Sequence, residues 1–95
     1  MSLKERLSDF AGSVVAAASR APDEYPEWEH WTYETHMADI RTLWAEIRPQ
    51  LKRDVDQASL VDESLQQMFR SFDAGDKETG RKTALTIYNL VEKLR

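Results

Sequence analysis

Two histidines, His30 and His36, stand among Glu27, Glu29, Glu34 and Asp39 in a chain of 95 residues. Imidazoles and carboxylates are the side chains that ligate metals and move protons, so chemistry is sought here first. Glu27 and His30 have the i,i+3 spacing used by metal sites inside helical bundles. That site class needs two such pairs, with further carboxylates from other helices. One pair is present, and no other segment contains a histidine. On a continuous helix His30 and His36 point about 120° apart, because successive residues advance by about 100°. They do not converge on one ion, and both are expected on a solvated rim. A metal- or ligand-binding bundle using the Glu27–His30 pair is kept as the alternative function, and the reading itself calls for no cofactor.

Other chemistries find less to work with. A phosphotransfer histidine needs an exposed ring surrounded by small residues, and His36 lies between Thr35 and Met37 in ETHMAD. Ser2 and Ser59 read as helix caps, and Ser8, Ser13, Ser19, Ser64 and Ser71 as ordinary helix surface. No G-x-S-x-G turn presents any of them as a nucleophile. The run DAGDKETGRKT lacks the phosphate-loop spacing, since Gly80 is followed by Arg81. It also fails as a calcium loop, because Gly75 and Lys77 stand where ligating side chains are required. No catalytic residue is assigned, and the chain is read as a non-enzyme.

Composition narrows the partners. Thirteen Lys+Arg against seventeen Asp+Glu give a net charge of −4, which does not draw a chain to nucleic acid or to an anionic membrane. The basic groups Arg48, Lys52, Arg53, Arg81 and Lys82 have acidic neighbours at Asp54, Asp56, Asp76 and Glu78. That pattern reads as a salt-bridged surface rather than the uncompensated stripe that nucleic acids require. There is no cysteine, so disulfides and thiolate zinc sites are excluded. The start, MSLKERLSDF, has charges where a signal peptide needs an apolar core, and no stretch approaches 18 apolar residues. A cytoplasmic protein with no membrane partner is expected.

The elements that must position these residues are helical. Apolar residues recur at three- and four-residue steps throughout, with three glycines and three prolines as the only strong punctuation. Helix 1 is expected over about residues 2–20, with Ser2 and Glu5 as a capping box and Leu3, Leu7, Phe10, Val14 and Ala17 as its stripe. Helix 2 is expected over about residues 26–53, opened by Pro26 and kinked near Pro49. Its stripe is Tyr33, Met37, Ile40, Trp44, Ile47 and Leu51. Helix 3, about residues 59–74, starts at a Ser59 cap with Asp62 in support, and carries Val61, Leu65, Met68 and Phe72. Gly75 stops it in a left-handed conformation. Asp76 then caps helix 4, about residues 77–94, with Ala84, Ile87, Val91 and Leu94 inward and Gly80 on the same side.

The turn between the last two helices, within FRSFDAGDKETGRKTALTIY, resembles the helix–Gly-Asp–helix hairpin of tetratricopeptide repeats over about 20 residues. The small residue expected in the second helix falls one place off, at Gly80, and no second copy of the unit occurs. The resemblance is one of hairpin chemistry. A chain this short buries roughly 60% of its unfolded surface, enough for one modest core. The expected fold is therefore all-α: a compact antiparallel four-helix bundle in a single domain spanning residues 1–95.

The tryptophans supply the one specific pointer to function. Trp44 belongs to the main stripe of helix 2. Trp28 and Trp31 fall on nearly the opposite side if that helix runs from Pro26, beside the small residues Thr35, Ala38, Thr42 and Ala45. Either the Ala21–Tyr25 segment covers them as a lid, or a partner does. Exposed aromatics are enriched at interaction hot spots. Trp28, Trp31, Thr35 and Ala38 are accordingly the candidate partner-binding residues. The expected function is a small protein–protein interaction or regulatory module that self-associates as a homodimer.

Overall fold

The computed structural model describes residues 2–21, 23–25, 31–52 and 55–94. Four helices carry them: α1 (Leu3–Arg20), α2 (Tyr33–Ile47), α3 (Val55–Asp73) and α4 (Lys77–Val91), with a 3₁₀ turn at Arg48–Gln50 after α2. The fold is the expected all-α bundle, with no strand among the described residues.

Local chemistry sets the helix ends. The Ser2 hydroxyl accepts from the Glu5 N–H (3.2 Å), as the capping-box spacing predicts. The start of α2 departs from expectation. Pro26, expected to open the helix, lies outside the described residues, and the helix starts at Tyr33 with Thr32 as its cap: the Thr32 hydroxyl accepts from the Thr35 N–H (3.2 Å). Thr35 Oγ1 in return accepts from the Thr32 N–H (2.9 Å). Two orphan donors are thus satisfied reciprocally, by a threonine at the position where glutamate is usual. At its other end α2 stops at Ile47 instead of kinking onward. Pro49 has no N–H with which to continue the ladder, and the chain tightens into the 3₁₀ turn, closed by Leu51 N–H to Arg48 O (3.3 Å). Leu51 is still buried, so the stripe outlives the helix.

Helix α3 begins one turn earlier than expected, at Val55. Asp62 does not support a cap. It lies within α3 and accepts from Trp44 Nε1 (2.6 Å) and Arg48 Nε (3.1 Å), tying α2 to α3. The end of α3 is a Schellman motif: Asp76 N–H reaches Ser71 O (2.8 Å), Gly75 N–H reaches Phe72 O (3.0 Å), and Gly75 sits at φ +82°. Asp76 then caps α4 through the Thr79 N–H (3.2 Å), and these hydrogen bonds hold its carboxyl below the usual range.

The helices run up, down, up, down. Arg6 near the start of α1 pairs with Glu46 near the end of α2, while Ser13 meets His36 near the start of α2. Tyr33 Oη donates to Asp73 (3.4 Å) at one end of α2–α3, and Trp44 to Asp62 farther along. Between α4 and α1, Arg81 Nε donates to Ala21 O (2.9 Å). Every stripe residue from Leu3 to Leu94 that was expected inside is buried, except Leu3 and Tyr33, which are half-buried. Phe10 stacks on Trp44 at 5.2 Å, joining α1 to α2. Gly80 of α4 packs against Phe72 of α3: a Cβ there would lie under 3.0 Å from three carbons of the Phe72 ring.

Candidate functional site

Three places were singled out by residue type: the histidine segment, the tryptophan face and the small-residue strip of α2. Glu27, Trp28 and His30 lie outside the described residues. The others can be placed.

His36 is not on the rim. It is fully buried, one turn into α2, against the middle of α1. The α1 stretch 11–19, AGSVVAAAS, is made of small uncharged residues, which lets α2 come this close. His36 Nε2–H donates to the Ser13 carbonyl (2.8 Å). A carbonyl can only accept, so Nδ1 carries the lone pair and accepts from the Tyr25 O–H (2.5 Å). Trp31 lies over the imidazole, ring centroids 4.0 Å apart, and Tyr25 meets both rings edge-on. Trp31 Nε1 in turn donates to Asp39 (3.3 Å), and the Arg20 guanidinium lies 6.0 Å from its ring.

The electrostatics follow from the burial. Desolvation is the main influence on His36 and lowers its pKa, opposed by the bond to Ser13 and by Asp39, and assisted by Arg20. Burial, reinforced by Tyr33, pushes the Tyr25 phenol up to about 12. Both nitrogens of His36 are engaged, so the ring has no free lone pair for a metal. Among the described residues no three His, Asp or Glu side chains gather to hold one. The cluster is a polar nest that pins Tyr25 and Trp31 onto the α1–α2 seam.

Trp31 is part of that nest. Because α2 starts at Tyr33, Trp31 precedes the helix and its direction is not set by helical rotation. It folds back as a half-buried lid over His36. Thr35 and Ala38 are exposed, as are Thr42 and Ala45, but Trp31 is turned inward beside them rather than outward with them.

A further concavity lies on the other flank of α1, away from the reactive residue types. An open groove of about 840 Å³ runs between α1 and α4. Its floor is Leu3, Leu7, Ala11, Tyr88, Val91 and Leu94, and its lips carry Lys4 and Ser8 on one side and Glu92 on the other. The Glu92 carboxylate, hydrogen-bonded to Tyr88, raises the phenol's pKa. Apolar surface continues past the groove. Val15 follows Ala11 by one turn and is 38% exposed; Leu85 precedes Tyr88 by about one turn and is 50% exposed. Arg81 meets Ala21 at one end of the antiparallel pair, and Lys4 and Glu92 line the groove at the other, so Val15 and Leu85 stand at about the same level. The remaining exposed large residues, Val55 and Leu60, are about 140° apart around α3 and share no face.

The signal for this groove was in the sequence. Nine consecutive uncharged residues in a chain that is 32% charged leave one side of α1 without a solvated stripe. A second, smaller hollow between α2 and α3 is lined by Arg41, Trp44, Asp62 and Phe69, and Arg41 covers the Phe69 ring at 4.1 Å. No helix among the described residues is long and apolar enough to cross a membrane. With fold and site in view, comparison with protein-family models, with curated proteins and with solved structures finds no match.

Proposed function

We propose that this chain is a small, non-enzymatic protein-interaction module whose contact surface is the α1/α4 face. The observation that supports it is the groove between Leu3–Ala11 and Tyr88–Leu94, continued by exposed Val15 and Leu85. Soluble monomers seldom keep a contiguous apolar surface of this kind without a use for it. The side chains that could have done chemistry support the same reading from the other direction. His36 is buried and hydrogen-bonded to the half-buried Tyr25, so its ring is not offered to a substrate. The partner is another protein, self-association included. The absence of cysteine from the sequence, and of a membrane-crossing helix among the described residues, suits a cytoplasmic setting.

The test is amide chemical-shift mapping as protein concentration is raised. Shifts should concentrate on Ala11, Val15, Leu85 and Tyr88. Shifts centred on Thr35, Ala38 and the Trp31 indole would move the surface to α2, and an unchanged spectrum up to about 1 mM, the weak end of specific binding, would count against self-association.

A further inference from the structure

We propose that the occupant of the α1/α4 groove is a second copy of this chain, docked about a two-fold axis parallel to the helices. The inference rests on the interaction reading of that face and adds the partner and its arrangement. Its basis is the placement of charge. Lys4 lies on the α1 lip and Glu92 on the α4 lip, at the same end of the groove. Neither has an ion-pair partner among the described residues. Farther along the α1 lip, from Ala11 to Ser19, there is no charge at all.

A two-fold rotation about an axis along the helices keeps every residue at its own level and exchanges the two lips. It therefore sets α1 of one copy against α4 of the other. Lys4 then faces Glu92 of the second copy, and Glu92 faces Lys4 of the second copy. Val15 and Leu85, which share a level, likewise meet their counterparts crosswise. An isologous contact repeats each pair, so one lysine, one glutamate and two apolar side chains yield two ion pairs and two apolar contacts. The charges sit at the rim, where ion pairs fix register more than they add affinity, and the apolar residues sit at the centre. The assembly joins the two α1/α4 pairs into a further four-helix layer that covers both grooves.

Charge reversal tests the arrangement, with association read by sedimentation velocity over a range of concentrations. Wild type should self-associate. Lys4→Glu and Glu92→Lys should each weaken association roughly tenfold, because each puts like charges together at two symmetric places. The double reversal should restore it to within about threefold, since opposite charges meet again. Val15→Glu serves as the control for the surface itself and should abolish association. If Val15→Glu abolishes it while both single reversals leave it unchanged, the face is right and the two-fold arrangement is overturned. If association persists through all these changes, the α1/α4 reading falls as well. A wild type that stays monomeric throughout overturns the second copy as occupant and leaves the groove to a different chain.

Discussion

The nest around His36 and the groove between α1 and α4 lie on opposite flanks of the same helix. They differ in every physical respect. The nest is polar, closed and saturated: both imidazole nitrogens have partners and two aromatic rings cover it. The groove is apolar and open, and the charges on its lips lack ion-pair partners among the described residues. The chain has spent its reactive side-chain types on holding itself together, because a buried polar group must be hydrogen-bonded once it is enclosed. What it leaves open is a surface of methyl groups and one phenol. Residue type points to the nest; exposure and missing partners point to the groove.

The largest expected effect is at the nest. His36→Ala removes a buried ring and leaves the Tyr25 hydroxyl without its acceptor. A cavity together with an unsatisfied donor should cost about 2–4 kcal/mol in urea denaturation. A cost under about 1 kcal/mol would mean that the nest does not hold the fold, and the contrast would collapse.

Next come the two helical glycines that contrast most sharply. Gly80→Ala forces a methyl into the Phe72 ring and should cost about 1–3 kcal/mol, less about 1 kcal/mol returned by the better helix former. Gly12, on the exposed side of α1, has nothing within 4 Å of where its Cβ would stand. Gly12→Ala should therefore stabilise the monomer by about 0.5–1 kcal/mol in the same assay. Equal effects of the two changes would contradict the packing described here.

A smaller effect is the pH dependence of stability. Burial holds the folded pKa of His36 below its ordinary value of 6.5. Above that pH the ring is neutral in both states and its contribution is fully present. As pH falls below about 6.5 the unfolded chain takes up a proton that the folded chain refuses. Stability then declines, by at most about 1.4 kcal/mol per pH unit, and levels off below the folded pKa. Denaturation at pH 7 and pH 5.5 should show this decline in wild type, and His36→Gln should flatten it. A steeper decline in the variant would assign the effect to other groups.

Much of the fold was legible because burial follows period. Phe10, Ile40, Trp44, Ile47, Leu65, Phe72, Ile87 and Val91 were read as core from spacing alone and are buried. The Gly75–Asp76 turn was legible for a different reason: left-handed stop and cap are each carried by a single residue type. Failures came where two signals competed. Pro26 is a sound first-turn residue, yet Thr32 and Thr35 form the reciprocal cap that starts α2, and a box with threonine in the third place falls outside the usual template. That shift of register took Trp31 off the helix and voided its assignment to a face. His36 was misplaced because its neighbours Thr35 and Ala38 are exposed, while its own position, one before Met37, falls at the buried edge of the stripe. The Tyr25 hydroxyl and Ser13 carbonyl that make its burial tolerable are 11 and 23 residues away, beyond the reach of any local pattern.

Sedimentation equilibrium of Leu85→Asp beside wild type is the most direct test of the open face. Leu85 is half exposed, so the helical spectrum should be kept and the stability of the monomer should change by less than about 0.5 kcal/mol. The account predicts that wild type associates as concentration rises and that Leu85→Asp stays monomeric over the same range. Association by the variant with unchanged affinity would contradict it.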